Sequence, residues 1–362
     1  MKRLIFLAVV AMLFVACSKE ATTQVNGPEP EDNSNRIILY TTTDGNIIEP
    51  SDKSPFGSST IVSNLYEDGV GVITLSEDVT IIRWGAFQGC TTLASIKLPE
   101  SVVTIDCNAF YLCENLVDVE LSDGITEIRD YAFTRCVALE TIALPSSLKS
   151  ICYGAFSSCY ALEEIEIPEG VTSIGSVAFA WCRALRDITI SSTVKSIGNQ
   201  AFDRCESLTS ITLPEGLTSI GERCFSECTS LKSITIPDGV SSLDVCTFYG
   251  CAALESVTLS KNLRRIESFL FGSCTSLTEI TIPGLVTVIG HSAFSGCSNL
   301  HSVYCMPEMV PKADYFTGDG TWNAFEGNAP ERKIYVPSMA LSGYKKAKYW
   351  SDYADDIVDG GF

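Results

Sequence analysis

Cysteine and histidine have the most chemistry to offer, and their numbers are lopsided: 16 Cys against 2 His in 362 residues. Disulfide bonds, a metal site and a nucleophile compete to explain so many thiols. Ten of them stand at 90, 113, 136, 159, 182, 205, 228, 251, 274 and 297, always 23 residues apart. A nucleophile needs a base beside it, and a metal needs clustered ligands; an even ladder supplies neither. The sequence has no CxxC, HExxH, GxSxG or phosphate-binding glycine loop, and its imidazoles are His291 and His301. Paired carboxylates could serve a hydrolase, but the acids are spread over exposed repeat positions, as solubility requires. Neither catalysis nor a cofactor nor a metal is expected.

The period also argues against disulfides. In-register neighbours lie about 4.8 Å apart with parallel Cβ directions, whereas a disulfide wants Cβ atoms about 3.8 Å apart and turned towards each other. The column reads as a buried ladder of thiols bonding weakly to the backbone. Cys107, Cys152, Cys224, Cys246 and Cys305 fall at other coil positions and read as core or near-surface thiols.

Other columns keep the same phase. Three residues before each laddered Cys stands a Phe, from Phe87 to Phe294, and three after it a Leu, from Leu93 to Leu300. Aliphatics follow at six and eight, then again at twelve and fifteen. Each unit reads Cys-x-x-Leu-x-x-Ile-x-Leu-Pro, a turn, Val-x-x-Ile and a short Ala-Phe return. The Ile-x-Leu alternation predicts a strand with both aliphatics inward. Pro99, Pro145, Pro168, Pro214, Pro237 and Pro283 end it, and the return path is expected to be helical or 3-10. One coil cannot bury its own apolar edge, so the units must stack as an α/β repeat solenoid. Strands centred on 73, 96, 119 and onward to 303, then 334, total twelve. Asn323-Ala324-Phe325 repeats the Ala-Phe signature eight residues late, which places an eight-residue insertion within Met306 to Trp322 and puts Asn328 in the Cys column.

These residues resemble the BspA-like subclass of bacterial leucine-rich repeats, over nearly all of the mature chain. The resemblance implies a curved solenoid of about twelve 23-residue coils with a parallel sheet on its concave face. It also implies a surface-exposed protein of adhesion type. The organisation expected is a leader at 1–16, a tether at 17–36, and an amino-terminal cap with the first strand at 37–75. Repeats follow at 76–305, then the insertion, last coil and carboxy-terminal cap at 306–362.

The address lies at the amino terminus. Lys2 and Arg3 precede thirteen apolar residues, Leu4 to Ala16, too few for a bilayer span of about 20 but suited to an export signal. Leu13-Phe14-Val15-Ala16-Cys17 resembles a bacterial lipobox, with Phe14 where Leu is usual, which makes Cys17 the expected site of lipidation. Residues 18–35 are polar, carry two prolines and read as a solvated tether. Ser18-Lys19-Glu20 is similar to the surface-export signal of Bacteroidetes lipoproteins. The expected location is therefore the outer membrane or cell surface.

Charge narrows the partners. Lys plus Arg total 25 against 44 Asp plus Glu, giving −19, and loss of Lys2 and Arg3 with the leader takes it to −21. Phosphate backbones are bound chiefly through Lys and Arg, so nucleic acid is not expected, and a membrane only through the lipid anchor. A protein or glycan partner remains. Outward strand positions lie five and seven after each Cys. Early in the stack they and their neighbours include Asp118, Glu120, Glu140, Glu163, Glu164, Glu166 and Asp187. Farther along they become Ser210, Thr212, Ser233, Thr235, Ser256, Thr258, Glu279 and Thr281. The acidic half is the expected contact. A second candidate is aromatic: Trp84, Tyr111, Tyr131, Tyr153, Tyr160 and Trp181, in or beside the return segments.

Overall fold

The alternating aliphatics form strands that stack coil on coil. Ile96 pairs in parallel with Val119, Ile165 with Ile188, Ile234 with Val257, and Ile280 with Val303 and onward to Ile334. Between these runs the ladder narrows to single bridges, Thr141 with Glu164 and Ser210 with Ser233. The computed structural model describes residues 33–50, 54–314 and 322–362. The leader, Cys17 and nearly all of the tether lie outside the described residues.

A second ladder is absent from the sequence reading. The Val-x-x-Ile segments end in two-residue strands, such as Thr104–Ile105, Ser173–Ile174 and Ser196–Ile197. Seven of them pair into one sheet, with Ile105, Ile128, Ile151, Ile174, Ile197 and Ile220 in register.

The return segments differ from the helical or 3-10 expectation: they are chained turns. Two residues in nearly every coil, one and five before the Cys, take left-handed backbone, among them Val177 (φ 60°) and Trp181 (φ 66°). Such conformations break a helix and cost non-glycine residues on the order of 1 kcal/mol each. A third ladder compensates, in which the Phe N–H donates to the next coil, as Phe110 to Ala132 O and Phe156 to Ala178 O at 2.8 Å.

Two columns fill the core. The Phe rings from Phe87 to Phe325 stack with centroids 5.0–5.6 Å apart and planes within 1–9° of parallel. That spacing is close to the roughly 4.8 Å between paired strands, so the rings stack coil on coil with the sheet. The fifteen described cysteines are free. From Cys113 to Cys297 each thiol donates to the carbonyl of the Phe 26 residues earlier, at 3.0–3.3 Å. Asn328 does the same with its amide, at 2.7 Å from Phe294 O. Cys90, the first rung, is half-buried and reaches Glu49 O of the cap at 3.8 Å.

Both ends depart from expectation. The amino-terminal strands are β1 (Ile37–Thr42), β2 (Ile61–Glu67) and β3 (Val70–Leu75). Strand β1 lies antiparallel between β3 and the strand at 93–97, pairing Ile38 with Ile73 and Tyr40 with Ile96. The strand at 73 therefore does not stack directly on the strand at 96. Tyr40 locks the cap by donating to Asn64 Oδ1 at 2.6 Å, while Asn64 donates to Ile48 O. At the other end Ile289 pairs with Ala313 and Phe294 stacks on Phe325, so the insertion falls mostly after Ala313; residues 315–321 lie outside the described residues. One further strand, Ile357–Asp359, stands beyond the expected last one and pairs Ile357 with Ile334, again 23 residues on. Between them run a short helix α1 (Leu341–Lys346) and a 3-10 turn at Trp350–Tyr353. Buried Tyr344 and Trp350 cover the stack and donate to Pro307 O and Pro311 O at 2.8 Å.

Candidate functional site

Strand alternation decides which side chains face out. Ile165 and Ile167 are buried while Glu164 and Glu166 between them are exposed. The next strand repeats the pattern in register, Glu164 beside Asp187 and Glu166 beside Thr189. The acids expected on this face are therefore on it, but not all are free. Glu120 is paired with Lys97. Arg186 takes Glu163 at 2.6 Å and approaches Asp187 at 3.7 Å. Asp118 is only partly exposed. Among the described residues Glu140, Glu164 and Glu166 are exposed and have no cationic partner. Partly exposed Asp118 also lacks a cation, and one Arg186 cannot neutralise both Glu163 and Asp187, so the patch stays strongly negative.

The aromatic candidates separate into groups rather than forming one patch. Trp84 is exposed and stands alone, and Tyr111 is half-buried. Tyr131 and Tyr153 meet edge to face at 5.1 Å. Trp181 lies between two guanidinium groups, Arg183 at 4.9 Å and Arg204 at 4.6 Å, and Arg183 also covers Tyr160 at 5.4 Å. The cations that occupy the Trp181 ring carry no period and escaped the sequence reading.

A different aromatic pair was missed altogether. Tyr304 and Tyr335 stack at 5.0 Å and 15° on the outward face of neighbouring strands, in line with Thr281. Finding them needs the column to be carried across the insertion to Lys333–Val336. A groove of about 460 Å³ on the preceding coils is lined by residues that include Thr258, Thr281, Pro283, Leu285 and Met306.

Two buried polar groups in the return segments are incompletely satisfied. Asp203 is buried, and desolvation pushes its carboxyl above the usual range. One of its oxygens, like the hydroxyl of Ser226, has no partner among the described residues. The thiol ladder is unreactive for a related reason: burial pushes Cys159 and Cys251 up to about 12. Among the described residues no three His, Cys, Asp or Glu side chains converge on a metal position, and no helix is long and apolar enough to cross a membrane.

A β-solenoid of 23-residue coils, with a strand sheet on one side and chained turns on the other, is the leucine-rich-repeat architecture. A family model for the BspA type leucine rich repeat region matches residues 65–186 and 172–301 in six copies, and the chain belongs to that family. Among solved structures it is similar to a leucine-rich cell surface protein from Faecalibacterium prausnitzii, at 24% identity over 74% of this chain and 90% of that one, with a TM-score of 0.45. A leucine-rich repeat protein from Bacteroides ovatus matches at 27% identity over 82% and 90%, with a TM-score of 0.37. One from T. pallidum matches at 22% over 74% and 88%, with a TM-score of 0.36. No curated protein matches the sequence.

Proposed function

We propose that the chain is a non-enzymatic lipoprotein of the outer membrane or cell surface, whose solenoid binds a host or microbial macromolecule. The single observation behind this reading is the sheet face, a long array of outward side chains on a backbone held by three ladders. Preorganised side chains lose less entropy on binding than loop residues do. The lipobox-like start and the polar tether support the address. Replacing Cys17 by Ala is expected to move the protein from the detergent phase to the aqueous phase of a Triton X-114 separation. Persistent detergent partitioning of that variant would remove the anchor.

The acidic half supplies the contact for a basic partner. Three unpaired carboxylates on adjacent coils create a negative field that steers cations and weakens with salt. Changing Glu120, Glu164 and Glu166 to Gln keeps the strands, removes two of the unpaired carboxylates and, by releasing Lys97 from Glu120, adds an uncompensated cation to the face. The partner is sought on arrays of matrix proteins and glycans at low salt. The triple variant should bind it about tenfold more weakly, because exposed charges contribute up to about 1 kcal/mol each. Unchanged binding would show that the acidic face is not the contact.

A second reading, an accessory module of a surface or periplasmic polysaccharide or assembly system, is favoured by the tyrosine pair and its hydroxyl-rich neighbours. Protease treatment of intact cells separates the first reading from a periplasmic module, which survives it.

A further inference from the structure

We propose that the hydroxyl-bearing half of the sheet face binds a linear, neutral polysaccharide, laid along the solenoid axis and stopped against Tyr304. The site stands apart from the acidic contact and does not depend on it. Seven residues after their Cys, Thr189, Thr212, Thr235, Thr258 and Thr281 are all exposed. The neighbouring outward column holds Ser210, Ser233, Ser256 and Glu279, also exposed. Strand pairing fixes their alignment, with Ser233 beside Ser256, Thr235 beside Thr258, and Thr281 beside Tyr304. This half of the face is thus a floor of short hydroxylated side chains, repeating at about 4.8 Å, that ends at a tall aromatic step.

The step has one free side. Tyr335 covers one face of the Tyr304 ring at 5.0 Å, so the other face looks back over Thr281. Neither tyrosine hydroxyl has a hydrogen-bond partner among the described residues. The groove at Thr258, Thr281, Leu285 and Met306 shares Thr281, the strand partner of Tyr304, with this floor, and exposed Leu285 and Met306 give it an apolar wall.

Sugar chemistry fits this combination better than peptide chemistry. A hexose chain laid along the axis meets the Tyr304 face end-on through the C–H groups of its terminal ring, and its rim of hydroxyls both donates and accepts, as Ser and Thr do. In a β-1,4-linked hexose chain successive rings turn opposite edges to the floor, so alternate sugars meet the threonines in the same way. An extended peptide would instead seek unpaired backbone groups at a sheet edge, which this face does not offer. Charge selects a neutral chain. Glu279 lies within the floor, Glu164 and Glu166 precede it, and the groove's cation, Lys261, is paired with Asp238 at 3.5 Å. A polyanion would be repelled.

The test is isothermal titration of the full chain with cellohexaose and mannohexaose, and with hexagalacturonate as the charged counterpart. Saturable binding of at least one neutral hexasaccharide is expected, with none of the uronate. Tyr304→Ala should weaken it about tenfold, the size of one aromatic contact. Tyr304→Phe, which keeps the ring and the strand, should stay within about threefold, and the Thr258→Val and Thr281→Val double variant should weaken it while keeping β-branched strand residues. The Glu120, Glu164 and Glu166 triple variant should bind as the unaltered chain does. No binding of either neutral sugar at millimolar concentration, a preference for the uronate, or equal affinity in the folded Tyr304→Ala variant would overturn the proposal.

Discussion

Titrated upward from pH 8, the protein is expected to lose its sheet signal in one steep transition near pH 10. Burial pushes the laddered thiols from Cys113 to Cys274 upward from an ordinary value near 9, Cys159 and Cys251 to about 12. The folded state therefore keeps protons that the unfolded state releases. Their stabilisation is complete below pH 9 and is lost as the pH climbs towards the folded-state values. Each thiol loses about 1.4 kcal/mol one pH unit above 9, so eight together lose about 11 kcal/mol, as much as a typical domain's whole stability. Asn328 points to the control. Replacing Cys136, Cys159, Cys182 and Cys205 by Asn removes four titrating groups and keeps a donor for the Phe carbonyl. Circular dichroism should show a shallower transition at higher pH, and an unshifted midpoint would discard thiol ionisation as the cause. Iodoacetamide at pH 8 gives a companion readout. It should label half-buried Cys107, Cys152 and Cys246 in the native protein, Cys90 only slowly because burial pushes it up to about 11, and the eleven buried thiols only after denaturation.

Phe179→Ala should be the most damaging single core substitution tried in mid-stack. Its ring lies between Phe156 at 5.5 Å and Phe202 at 5.6 Å and is fully buried. Deleting it costs about 3–5 kcal/mol for the lost burial and cavity, and on the order of 1 kcal/mol for each lost stack. In a solenoid each coil is held only by its neighbours, so the damage stays local. The expected calorimetric trace splits into two transitions, one for the coils on each side. Phe179→Leu, which keeps most of the volume, should melt as one transition with a smaller loss. A single, unshifted melt for the Ala variant would mean that the ring column does not couple the coils.

What could be read from the sequence is what repeats. The Cys and Phe columns announce a thiol ladder and a ring stack because every coil restates them, and Asn328 fits once the insertion is counted out. The two-residue strands could not be read, since two residues are too few to show a period. The chained turns had one available signal, glycine at left-handed positions such as Gly89, Gly154 and Gly296, but most coils place other residues there. At the ends, nothing in Ile37–Thr42 says that this cap segment inserts as a strand between Ile73 on one side and Ile96 on the other. The strand at Ile357–Asp359 carries neither the Cys nor the Phe that would have announced it. On the surface, acids were visible as residue types, while their neutralisation by Lys97 and Arg186 depends on side-chain reach. The Tyr304–Tyr335 step hides behind the insertion.

The constant interval of 23 has a consequence for how such a molecule can change size. The strand, short-strand and turn ladders all join residue i to a residue one coil away, and most side-chain bonds in the repeats span 22, 23 or 26 residues. No contact within the repeats refers to the total number of coils. Excising the 23 residues from Ser146 to Pro168 would rejoin Pro145 to Glu169 with every column still continuous. Both lids would meet the same kind of coil they meet now. Length is thus a dial that gene duplication or deletion can turn one notch at a time. Each notch adds or removes one row of outward side chains without redesigning the interior.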